Sequence, residues 1–137
     1  MVCVHCGQET KVVNSRLQSR LNQVWRRRKC LACGAIFTTE EKIDYASSWV
    51  VRSRSGKLSP FSRDKLLVSL FRSLGHRKNA LNSAAGLTDT IMNKLMPLVQ
   101  KGALDSSQIA QTAQVALNRF DKAASVHYQA FHASSRS

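Results

Sequence analysis

Hydrophobic and polar positions change rhythm about a third of the way along the chain. Before that point the apolar residues fall in short β-prone runs, Lys11-Val12-Val13, Val24-Trp25-Arg26 and Ala35-Ile36-Phe37-Thr38, separated by turns. From Trp49 the pattern differs. Trp49 to Arg52 and Lys57 to Phe61 read as two strands around Ser53-Arg54-Ser55-Gly56, a hairpin turn. Spacings of three and four then predict helices. Ser62 caps one whose Leu66, Leu67, Leu70, Phe71 and Leu74 recur until Gly75 stops it. A second runs from about Gly86 to Gln100, with Leu87, Ile91, Leu95 and Leu98 on one face, a kink at Pro97 and Gly102 as terminator. Asp105 with Gln108 forms a capping box for a third, which turns Ile109, Ala113, Ala116, Leu117 and Phe120 inward. Asp121 begins a last helix carrying Ala124, Tyr128 and Phe131, and residues 133–137 form a frayed tail. The expected fold class is α+β. A small N-terminal β ribbon covers residues 1–45, a polar linker lies at Asp44 to Ser48, and a mostly helical domain with an N-terminal β-hairpin covers residues 49–133.

The cysteines say what holds the first segment together. Cys3 and Cys6 form one Cys-x-x-Cys knuckle and Cys30 and Cys33 the other, with Gly7 and Gly34 directly after them. Two such turns complete the tetrahedral thiolate shell that zinc prefers and leave no position for a catalytic water, so the metal is one structural ion. A ribbon this small has too few apolar residues to fold without it. His5, inside the first knuckle, is a bystander when four thiolates are at hand.

Charge changes the picture further. Lys and Arg number 21 against 8 acids, giving +13 and an expectation of a polyanionic partner. Between Glu9 and Glu40 there is no acid at all, only Lys11, Arg16, Arg20, Arg26, Arg27, Arg28 and Lys29. Strand alternation sends Arg26 and Arg28 to one face and Arg27 and Lys29 to the other, so the four cannot all touch one phosphate backbone. Trp25 is adjacent and able to stack on a base or sugar. By itself this pattern does not separate DNA from RNA. No run of about 18 apolar residues occurs, which argues against a membrane span. The start MVCVHCG lacks the features of an export signal, and paired thiols suit a reducing compartment; the expected location is cytoplasmic.

Several motifs together resemble a known family. Val13-Asn14-Ser15-Arg16, Arg26-Arg27-Arg28-Lys29, Cys30-Leu31-Ala32-Cys33-Gly34 and Phe37-Thr38-Thr39-Glu40 resemble the zinc ribbon of the NrdR family, bacterial repressors of ribonucleotide reductase genes. Val50-Val51-Arg52, Pro60-Phe61-Ser62-Arg63-Asp64-Lys65-Leu66 and Phe120-Asp121-Lys122-Ala123-Ala124 are similar to that family's ATP-cone. The resemblance implies a nucleotide-responsive repressor. Arg16, Arg26, Arg27, Arg28 and Lys29 would contact double-stranded DNA upstream of reductase genes. Arg52 and Lys65 would meet the triphosphate of ATP or dATP, an effector, and the cone-like domain would form a homo-oligomer. The chain departs from the family pattern at Asn14 (usually Asp), at Glu40 or Glu41 (usually Tyr), at Ser59 (usually Glu), and at Ser125 and His127 (usually Tyr and Arg).

Two other classes compete. A constitutive RNA-binding or ribosome-associated zinc-ribbon protein would suit the same charge, since residues 49–137 alone hold 13 basic and 4 acidic residues, a net +9. An enzyme has little support. Asp64, Asp89, Asp105 and Asp121 mostly fall at predicted helix starts, and no GxxxxGK[ST] phosphate loop occurs.

Overall fold

The computed structural model describes residues 1–132. The chain divides into two compact units, Met1–Ile43 and a second beginning at Asp44.

The first unit is a three-stranded antiparallel sheet in the order β1-β2-β3, with β1 at Thr10–Gln18, β2 at Gln23–Cys30 and β3 at Ile36–Glu41. Asn22, at φ 49°, takes the left-handed turn position between β1 and β2, where Asn is among the few residues tolerated. The strands are longer than the apolar runs that announced them, because the basic and polar residues between those runs also pair. The ladder is not regular. Val12 stands opposite Arg28 but Asn14 stands opposite Arg27, so Val13 is an extra residue, a β-bulge in β1.

The second unit combines a small sheet with helices. β4 (Val50–Arg52) pairs antiparallel with β5 (Leu58–Pro60) across the expected hairpin, and parallel with β6 (Ala103–Asp105). β6 was not expected from the sequence. Three residues carry no visible alternation, and their strand conformation comes from pairing with a segment 53 positions away. The predicted linker is also corrected. Tyr45–Ser48 forms a short helix, α1, held by aromatic contacts of Tyr45 with Trp49 at 4.5 Å and with Phe61 at 6.2 Å between ring centroids.

The four longer helices are α2 (Arg63–Ser73), α3 (Ala80–Leu95), α4 (Ser106–Phe120) and α5 (Lys122–Phe131). Ser62 Oγ accepts the Lys65 backbone N–H, and Asp105 and Gln108 form the capping box, so both starts follow the local chemistry of the sequence. α3 begins six residues before Gly86. Its first turns bury Ala80 and Ala84, small residues that give little hydrophobic signal but let α3 pack closely against α2 and α4. Pro97 ends α3 in a single 3-10 turn, Met96–Leu98. The core comprises Phe61, Leu70, Leu74, Ile91, Leu95, Leu104, Leu117, Ala124 and Tyr128, among others. Phe120, expected inward, is 43% exposed, and Phe131 is 75% exposed. They close their helices, past the last turn that the core covers. The expected tail at 133–137 lies outside the described residues. Among the described residues no helix is long and apolar enough to cross a membrane.

Candidate metal centre and nucleic-acid interface

The two Cys-x-x-Cys turns close on each other at one end of the ribbon. Gly7 at φ 75° and Gly34 at φ 73° take the left-handed conformation that ends each knuckle. Gly7 N–H donates to Cys3 O at 2.9 Å, and Cys30 N–H donates to Ala35 O at 2.9 Å. All four Sγ atoms lie within 4.8 Å of one another, with Cys3–Cys33 at 3.8 Å and Cys6–Cys30 at 3.5 Å. A tetrahedral ion with zinc–sulfur bonds of about 2.3 Å needs sulfurs about 3.8 Å apart, whereas a disulfide needs about 2.05 Å. The donor set therefore fits zinc and does not form two disulfides. Backbone N–H groups of His5, Ala32 and Cys33 point at the sulfurs from 3.3 to 3.4 Å, as thiolates require. The Cys33 N–H above all, against burial and with help from Ala32, holds the Cys30 thiol down to about 6. Zinc bound here would supply cross-linking and charge neutralisation, with four thiolates leaving no open position for chemistry.

The strands leading from this knot carry the basic residues, and the register decides which share a face. Residues directly opposite in an antiparallel pair project to the same side. Arg16 opposes Trp25, Asn14 opposes Arg27, and Lys11 opposes Lys29. One face thus gathers Lys11, Asn14, Arg16, Trp25, Arg27 and Lys29, all exposed. A depression of about 220 Å³ in it is lined by Asn14, Ser15, Arg16, Trp25, Arg27 and Thr38. Arg26 and Arg28 turn to the other, half-buried face, where Arg26 donates to Ser15 Oγ at 3.0 Å and Arg28 to Thr10 Oγ1 at 3.2 Å. Of the five expected contact residues the structure brings together Arg16, Arg27 and Lys29, and it adds Lys11. Parity alone would have separated Lys11 from Arg16. The bulge at Val13 brings both to one side.

Within the second unit, a cleft of about 210 Å³ lies between the starts of α2 and α4, lined by residues that include Ser62, Lys65, Ser69, Ser106, Tyr128 and His132. Lys65, one of the two residues expected to meet a nucleotide, lines it. Arg52 is not among the lining residues; its guanidinium donates to Asp105 Oδ1 at 3.1 Å. Ser106, Tyr128 and His132 had no sequence signal for this cleft, because they come from α4, from α5 and from the residue that ends α5. Tyr128 and His132 stack, with ring centroids 4.0 Å apart, and burial pushes the Tyr128 hydroxyl up to about 12. Asp89, expected at a helix start, instead lies within α3 and pairs with Arg63 at 2.5 Å.

A paired-knuckle tetrathiolate on a three-stranded antiparallel sheet defines a zinc-ribbon protein. A family model described as Transcriptional repressor NrdR-like, N-terminal domain, matches residues 1–41. Over a longer span the chain is similar to the transcriptional repressor NrdR of Symbiobacterium thermophilum, 34% identical over 128 residues, covering 93% of this chain and 84% of the relative. It is 36% identical over 132 residues to that of Rhodospirillum centenum, covering 93% and 82%. It is 33% identical over 135 residues to that of Chromobacterium violaceum, covering 98% and 88%. The chain belongs to the NrdR family of transcriptional repressors, and it is a zinc-binding repressor rather than an enzyme.

Proposed function

We propose that this chain is a cytoplasmic, nucleotide-responsive repressor that lays the exposed basic face of its ribbon on double-stranded DNA upstream of ribonucleotide reductase genes. The observation that carries the reading is the shared face of Lys11, Arg16, Arg27 and Lys29, with Trp25 opposite Arg16 at one end of it, on strands that run to the four-cysteine cluster. Four cations on a rigid surface release counterions from a duplex, and a tryptophan among them adds apolar contact. Arg26 and Arg28 support that surface from behind through Ser15 and Thr10.

The cleft of the second unit supports ATP or dATP as the effector. Two helix starts, marked by Ser62 and Ser106, lie beside Lys65, and helix N-termini attract phosphate. Arg52 joins by exchanging the Asp105 carboxylate for a phosphate oxygen, since an exposed ion pair contributes little. Nucleotide binding there changes the association of chains through the cone-like unit, and with it DNA affinity, each site biasing the other reciprocally.

The test is fluorescence anisotropy of the zinc-loaded chain on reductase-promoter duplex with no nucleotide, ATP or dATP, alongside sizing of each mixture. Mass and DNA affinity should both depend on the nucleotide. Equal affinities and equal masses in all three conditions would remove the sensor. Structured RNA competing as well as the duplex at near-physiological salt would favour a constitutive RNA-binding protein instead.

A further inference from the structure

We propose that Asn14 and Arg27 read the base edges of two neighbouring base pairs in the major groove, an adenine by the Asn14 amide and a guanine by the Arg27 guanidinium. This rests on the reading of the basic face as the DNA-contacting surface. It goes further by separating residues that recognise sequence from residues that only attract phosphate.

The β-bulge is the first reason. Were β1 regular, Arg27 would face Val13, and Asn14 would face Arg26 on the half-buried side. The extra residue at Val13 shifts the ladder so that Asn14 stands directly opposite Arg27 on the exposed face. Bulges of this kind re-aim side chains.

Their hydrogen-bonding state is the second. On the opposite face Arg26 and Arg28 are engaged by Ser15 and Thr10. Among the described residues, neither the Asn14 amide nor the Arg27 guanidinium has a hydrogen-bond or ion-pair partner, although both line the same depression. Their donors and acceptors are left for something outside the chain.

Chemistry then divides the labour. A neutral amide set among Lys11, Arg16, Arg27 and Lys29 adds little to phosphate attraction, but it offers the donor and acceptor that match adenine N7 and N6. Arg27 carries the planar fork that matches guanine O6 and N7, while Lys11 and Lys29 are point charges suited to phosphates. Directly opposed side chains start about 5 Å apart, which flexible side chains span to reach base pairs stacked about 3.4 Å apart, and a two-stranded segment such as β1-β2 fits a groove about 12 Å wide.

The experiment uses the full zinc-loaded chain and a duplex library with a randomised central segment, followed by binding of N14A and R27K to single-base-pair variants of the selected site. Zinc stoichiometry and circular dichroism confirm that each variant folds. The expected result is a selected adjacent adenine and guanine. N14A should bind the selected site about tenfold more weakly, yet match the wild type within about twofold once that adenine is replaced. R27K keeps the charge and the salt slope but loses the guanine preference. If both variants weaken every duplex equally, Asn14 and Arg27 are not base readers, though the face still binds DNA. If K11A and K29A leave duplex affinity unchanged, the underlying reading of the face fails and this proposal fails with it.

Discussion

Lys11 and Lys29 stand directly opposite each other on β1 and β2, two cations in one cross-strand pair. Like charges so placed destabilise a sheet by about 0.2–1 kcal/mol, a cost that disappears when a polyanion lies across them. K11Q should therefore stabilise the free ribbon slightly and weaken duplex binding, reducing the magnitude of the log-log salt slope by about 1. Paired denaturation and salt-titration series test both halves.

Removing the metal should unfold the first unit while the second stays folded. Among the described residues, the core cluster of the second unit is built from Phe61 onward, with Tyr45, Trp49 and Val51 packed against it. A chelator, or C30S, is expected to abolish the β1-β2-β3 sheet and duplex binding while the helical signal of the second unit persists. Two-dimensional amide NMR resolves the outcome, and an unchanged ribbon spectrum after chelation would contradict it.

Asp121 caps α5 by accepting the Ala124 N–H at 3.1 Å, and its carboxylate also accepts from His76 Nε2 at 2.8 Å and Arg77 Nη1 at 3.0 Å. His76 first, then the Ala124 N–H and Arg77, hold this carboxyl well below the usual carboxylate range. A carboxyl depressed in the folded state stabilises fully above its unfolded pKa of about 3.9 and loses that contribution as pH falls towards the folded value. D121N keeps a capping side chain but loses the charge. Its thermal midpoint should be lower than that of the wild type at pH 7, and the gap should close below about pH 4 in calorimetric scans.

Ser62 and Lys65 separate stability from ligand binding at one helix start. S62A removes the acceptor for the Lys65 N–H and should cost about 0.5–2 kcal/mol in urea unfolding. K65A leaves that cap in place and should instead weaken ATP or dATP in calorimetry, with little change in the unfolding midpoint. Equal nucleotide affinity in K65A would detach the effector from this cleft.

The elements legible in the sequence are those whose cause is local. Ser53 to Gly56 turns the hairpin, Ser62 and Asp105 with Gln108 start α2 and α4, and Pro97 ends α3, each through groups within a few residues. The metal site was legible for the same reason, because each knuckle is a four-residue motif. α1, β6 and the true start of α3 were not, since Tyr45, Leu104 and Ala84 take their conformations from partners far along the chain.

The sequence by itself determined the four ligands, the excess of cations and the order of most elements, since these depend on residue type and short spacing. Only the tertiary structure decided which cations act together. Side chains in a strand alternate with a period of two, and one extra residue at Val13 reverses that count. Pairing across β1 and β2 therefore sets Lys11, Asn14 and Arg16 beside Arg27 and Lys29, and turns Arg26 and Arg28 away.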